Sequence, residues 1–129
     1  MRKLIKFGIY SVVIIIVLVT VIILYWHREQ EINFSLVIPQ SITYCEREIT
    51  NKNIEYLELT TWLEKNKTGW VNSLVSFVPI TIYRASNISI NVMGTAVVVN
   101  YSVNGKDWSQ VINNKLENEL STSCETANK

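Results

Sequence analysis

Twenty consecutive positions, Phe7 to Trp26, read FGIYSVVIIIVLVTVIILYW and carry no charge. At about 1.5 Å of rise per residue, such a run makes a helix about 30 Å long, the hydrocarbon thickness of a bilayer, with its backbone polar groups satisfied internally. The pattern predicts a transmembrane helix over 7–26. Residues 1–6 then form a short leading segment, 27–31 a juxtamembrane linker, and 32–129 a single α+β domain ending in a polar tail.

The flanks of the span are unequal. Arg2, Lys3 and Lys6 precede it, whereas His27, Arg28, Glu29 and Glu31 follow it. By the positive-inside rule the amino terminus is cytoplasmic and the domain lies outside. Tyr25 and Trp26 fall where amphipathic aromatics sit, at the outer interface. A cleavable signal peptide is the rival reading. The run is longer than an ordinary signal core, and it ends in Leu24-Tyr25-Trp26-His27 with no pair of small residues, so an uncleaved signal-anchor is expected.

Beyond the linker the period changes several times. Ile32, Phe34, Leu36 and Ile38 alternate with Asn33, Ser35 and Val37, which predicts a strand that Pro39 ends. Ile42 and Tyr44 predict a second short extended piece. Tyr56, Leu59, Trp62 and Leu63 then recur on one helical face, predicting a helix over 51–66 capped by Thr50, Asn51 or Asn53 and closed by Gly69. Ile54 and Leu57 lie off that stripe, so the helix has a second contact or starts later.

Alternation dominates from Trp70 to Ile112. Leu74–Val78, Ile80–Tyr83, Ile88–Met93, Thr95–Val103 and Trp108–Ile112 read as strands. Arg84–Asn87, Gly94 and Asn104-Gly105 are the turns between them, the last with the composition of a type I′ hairpin. The fold expected is α+β, one helix packed on an antiparallel sheet of four to six strands.

Composition narrows the function less than the pattern does. From Arg28 onward nine basic residues meet eleven acidic ones, 9 minus 11, a net charge of −2. Scattered charges of that balance exclude a polyanion-binding surface, and no nucleic acid is expected as a partner. The two cysteines, Cys45 and Cys124, both fall in the domain predicted to face an oxidising space and are expected to form a disulfide.

Catalytic chemistry leaves no pattern. His27 is the only histidine and sits at the lipid boundary. No GxSxG elbow, CxxC pair or phosphate-cradling glycine loop occurs, so no enzyme, cofactor, metal or small-molecule substrate is expected. Glu46 with Glu48 and Glu55 with Glu58 are close enough in sequence for acid–base work, and the helical pair Glu55 and Glu58 reads as a solvated first turn. Four sequons, at Asn33, Asn66, Asn87 and Asn100, read as a product of asparagine-rich composition.

Aromatic residues are the remaining pointer. Most of them belong in the core of so small a domain, but if any are exposed, Trp70 and Tyr83 near Arg84 are the candidate partner-binding patch, because Trp, Tyr and Arg dominate interface hot spots. No named family emerges. The Asn-Lys-Thr-Gly-Trp turn and the Val-Val-Val-Asn-Tyr strand have the texture of small bacterial envelope proteins, which favours a bacterial inner membrane facing the periplasm. The function expected is a single-pass, membrane-anchored protein-binding domain that holds another envelope protein as an inhibitor, immunity factor or assembly partner. The alternative is a structural subunit of an envelope or secretion assembly, and a third, less favoured reading is an unrecognised enzyme whose site would gather Glu46, Glu48, Arg84 or Asp107.

Overall fold

The computed structural model describes residues 2–76, 81–114 and 120. It begins with α1, Arg2–Trp26. The apolar stretch of this helix, Gly8–Trp26, is 19 residues long and is not buried by any other of the described residues. A helix of this length and composition is sufficient to cross a membrane.

The segment read as the first strand folds otherwise. Phe34–Leu36 is a short 3-10 helix, with Asn33 Oδ1 accepting from the Ser35 N–H at 3.2 Å and from Ser35 Oγ at 2.6 Å. An asparagine that bonds its own neighbours offers the backbone an alternative to a ladder. The burial period changes accordingly: Phe34 and Val37 enter the core while Leu36 is exposed. Residues three apart therefore share a face, where a strand would have paired residues two apart.

β1, Ser41–Tyr44, and β2, Arg47–Thr50, form a hairpin with Tyr44 opposite Arg47. Its two turn residues, Cys45 and Glu46, have φ of +49° and +64°. Both are left-handed without being glycine, which is why composition did not announce β2. α2, Ile54–Lys65, follows. It starts inside the predicted range behind Asn53 and closes at Asn66, whose N–H donates to Trp62 O at 3.0 Å. Gly69 does not close the helix. It serves the turn beyond, at φ +83°, where a Cβ would lie 3.1 Å from Asn113 Nδ2.

Five more strands complete the sheet: β3 (Val71–Asn72), β4 (Thr81–Arg84), β5 (Ile88–Met93), β6 (Ala96–Tyr101) and β7 (Ser109–Asn113). Of the strand expected over Leu74–Val78, residues 74–76 are not strand, and Phe77 and Val78 lie outside the described residues. The seven strands are all antiparallel in the order β2-β1-β4-β5-β6-β7-β3. That exceeds the four to six expected, because β2 and the two-residue β3 add an edge each. β4 to β7 form a meander, and α2 carries the chain from one edge strand, β2, to the other, β3.

The core lies between the sheet and α2. Ile88, Ile90, Val92, Val97, Val99 and Val111 face Leu59, Trp62 and Leu63 of the helix stripe. Phe34 meets Trp70 edge-on at 5.0 Å and Tyr101 at 5.6 Å, and Trp62 meets Trp70 at 6.5 Å. Such edge-to-face pairs add to the burial of their area.

The Asn104-Gly105 turn is wider than a type I′ hairpin. Tyr101 pairs with Ser109, so residues 102–108 form the connection. Asn104 Oδ1 accepts from the N–H groups of Lys106 (2.9 Å) and Asp107 (3.0 Å), and Asn104 Nδ2 donates to Asp107 Oδ2 at 2.8 Å. The asparagine side chain, rather than a backbone ladder, closes the loop. Val103 and Trp108, read as strand residues, therefore leave the sheet and face solvent.

Candidate functional site

The three residues singled out as a partner-binding patch do not form one. Trp70 is 0% exposed, at the start of the β3 edge, and its Nε1–H donates to Asn66 O at 2.7 Å. Tyr83 is 2% exposed and stacks on Tyr44 with ring centroids 4.5 Å apart. Burial, reinforced by the neighbouring Tyr44, holds its hydroxyl well above the ordinary tyrosine range. Only Arg84 reaches the surface. The strand order also separates them: β4 and β3 are four positions apart, about 19 Å at the usual strand spacing. Trp70 and Tyr83 are core residues because a domain of this size needs its largest side chains inside.

The cysteines divide differently. Cys45 is half-buried at the β1–β2 turn and packs against the core. Cys124 lies outside the described residues. Leu120, four positions before it, is buried in the core and lines a groove on α2.

Of the four carboxylates singled out, Glu48 and Glu55 are tied into the fold. Ser41 Oγ donates to Glu48, and Arg47 pairs with Glu55 at 2.5 Å, tying the start of β2 to the first turn of α2. Hydrogen bonding from the backbone at the helix start, and then from Arg47, holds the Glu55 carboxyl below the ordinary glutamate range. His27 Nδ1 lies 2.9 Å from Ile23 O, its own helix's last turn. No group of three or more His, Cys, Asp or Glu side chains gathers to hold a metal among the described residues.

Two of the four sequons are engaged as well. Asn66 Nδ2 donates to Trp62 O at 2.8 Å, and Asn87 Nδ2 to Val37 O at 2.6 Å. The nitrogen that would carry a sugar is thus committed to the fold at both positions.

Sequence reasoning missed two exposed apolar groups. On α2, Ile54 and Leu57 stand free beside Leu120, at a groove of about 310 Å³ that Glu58 and Lys65 also line. Their departure from the buried stripe was the legible signal. Leu74, Val75, Val103 and Trp108 form the other group, exposed at 82, 62, 79 and 52%. Alternation hid these, because each continues a strand pattern past the point where pairing stops.

Between α1 and the domain the connection is short and fixed. Gln30 pairs with Trp70, and its Nε2 donates to Asn72 Oδ1 at 2.9 Å. Only His27, Arg28 and Glu29 lie between the end of the helix and that pairing. Within the segment read as a linker over 27–31, the chain joins the β3 edge at its fourth position, Gln30. No protein-family model matches this chain, and neither a curated protein nor a solved structure shows significant similarity to it.

Proposed function

We propose that the chain is a single-pass membrane protein with a cytoplasmic amino terminus. Its domain would stand outside, in the periplasm of a bacterial inner membrane, and work by contact, holding another envelope protein as an inhibitor, immunity factor or assembly partner. The observation that carries this reading is the contrast at Trp26. Before it, an apolar helix finds no packing among the described residues; four residues after it, the backbone locks into the domain. An unpaired apolar helix needs a lipid environment, and a domain fixed so close to it acts at the membrane surface.

Contact with a protein is favoured by α2. Ile54 and Leu57 remain exposed on a helix whose other face is fully used, and the groove beside them is apolar with a charged rim. The same compartment takes a Cys45–Cys124 disulfide with it. From Trp62 to Glu55 along α2 is about 10 Å, and four extended residues from Leu120 reach about 13 Å. The buried Leu120 thus leaves enough chain for Cys124 to meet Cys45 at the turn preceding Arg47.

Crosslinking of the full-length protein in its native membrane, followed by mass spectrometry, tests the reading. A stoichiometric partner lost on I54D/L57D is the expected result. No partner above background would refute it. A scrambled, equally hydrophobic span that keeps the partner assigns α1 to tethering; loss of the partner would assign it to assembly, as a structural subunit.

A further inference from the structure

The backbone pairings fix which end of the sheet lies beside the anchor. Gln30 donates its N–H to Trp70 O at 2.7 Å, and Ile32 donates to Lys67 O at 2.8 Å. The two segments are antiparallel, so traced back from Gln30 to Trp26 the chain runs in the direction of Asn72 and Leu74. The Gln30–Asn72 side-chain bond lies on that path, and Tyr25, Arg28 and Asn72 line one cleft.

The same register carries across the sheet. Val71 pairs with Ile112 and Asn72 with Val111, and the Ser73 N–H donates to Gln110 O at 3.0 Å. Beyond the last pair, Gln110 Nε2 donates to Ser73 O at 3.2 Å and to Val75 O at 2.8 Å, which keeps Leu74 and Val75 beside the start of β7, where Trp108 precedes Ser109. Tyr101 opposite Ser109 brings the end of β6, and with it Val103, to the same end. Between Val71 and Asn113, the exposed large apolar side chains among the described residues are these four: Leu74, Val75, Val103 and Trp108.

We propose that this end of the domain is a second membrane contact, in which Leu74, Val75, Val103 and Trp108 rest in the interface of the bilayer that α1 crosses. The proposal depends on the reading of α1 as a span. A lipid surface is the occupant because the patch adjoins the anchor. At one strand spacing per step, Trp108 lies about 10 Å and Val103 about 15 Å sideways from the Gln30 segment, and three linking residues span at most about 10 Å. The patch therefore cannot stand far from the headgroups. Its chemistry also fits, since tryptophan and aliphatic side chains partition into that zone without needing a charged lipid. The bonds within residues 102–108, together with Ser102 N–H to Asn87 O at 2.9 Å, hold Val103 and Trp108 in a pre-set loop. Both contacts together would orient the domain, leaving α2 free for its partner.

The test uses the full-length protein in phosphatidylcholine vesicles whose lipid is brominated near the top of the acyl chain, a short-range quencher of tryptophan. Trp62 and Trp70 are buried, so the surface signal comes from Trp26 and Trp108. The W26F protein should float with the vesicles and be quenched, and W26F/W108F should lose at least half of that quenching. Protein that floats but shows the same quenching with and without Trp108 would overturn the lipid contact and leave the anchor standing. Protein that fails to float would overturn both. Trp108 open to an aqueous quencher in vesicles but shielded in native membranes would give this face to a protein and overturn the lipid assignment.

Discussion

Replacing Trp70 by alanine tests the central packing argument. The side chain is 0% exposed, meets Phe34 at 5.0 Å and Trp62 at 6.5 Å, and donates to Asn66 O at 2.7 Å. Removing a buried tryptophan costs about 3–5 kcal/mol, and the orphaned Asn66 carbonyl adds about 1 kcal/mol. Against a total of roughly 5–15 kcal/mol for a domain of this size, W70A should be barely folded. At about 4–8 °C per kcal/mol, the melting temperature should fall by about 20 °C or more. W70F, which retains a ring, should lose about 2 kcal/mol. W108A is the control: its side chain is half exposed, and its cost should be about 1 kcal/mol or less. Thermal unfolding of the full-length protein in detergent micelles, followed by near-ultraviolet circular dichroism, reports the aromatic cluster without interference from the helicity of α1. A W70A melting temperature equal to that of W108A would refute the assignment of Trp70 to the core.

Three further outcomes are measurable in the same preparation. G69A should cost about 1–2 kcal/mol, more than G94A, because both glycines have positive φ but only Gly69 faces a neighbour, Asn113 Nδ2 at 3.1 Å; equal losses would remove the crowding argument. A double-mutant cycle on Arg47 and Glu55 should give a coupling of about 0.5 kcal/mol at neutral pH, the value of an exposed pair. Because the Glu55 carboxyl is held low in the folded state, that contribution is complete above the ordinary glutamate pKa and disappears as pH falls through the lowered folded value. Coupling that persists below that value would contradict the ion pair. For the proposed Cys45–Cys124 bridge, non-reducing peptide mapping should recover the linked pair, and C45S/C124S should lose about 4 kcal/mol; two free thiols in protein from the native membrane would remove it.

Much of the architecture follows from local pattern. The uncharged run to Trp26, the stripe of Tyr56, Leu59, Trp62 and Leu63, and the alternation through β4 to β7 each state one period over enough residues to exclude the others. Where reading failed, a side chain or a pairing partner decided. Asn33 and Asn104 bonded to nearby N–H groups and turned two apparent strand segments into a 3-10 helix and a loop. Cys45 and Glu46 took left-handed φ values because β2 had a partner in β1 to bond.

The sequence by itself determined the apolar helix, the α+β class and the helix stripe, because these depend on periodicity, which neighbouring residues carry along the chain. Only the tertiary structure decided which large side chains are covered. Trp70 and Trp108 are the same residue type in similar alternating contexts, yet one is at 0% and the other at 52% exposure. The difference arises where pairing stops and what packs above, and both depend on residues distant in sequence: Gln30 and Phe34 come to Trp70, while the loop after Tyr101 carries Trp108 clear of the sheet. Burial is a property of the assembled sheet and helix, so no local pattern contains it.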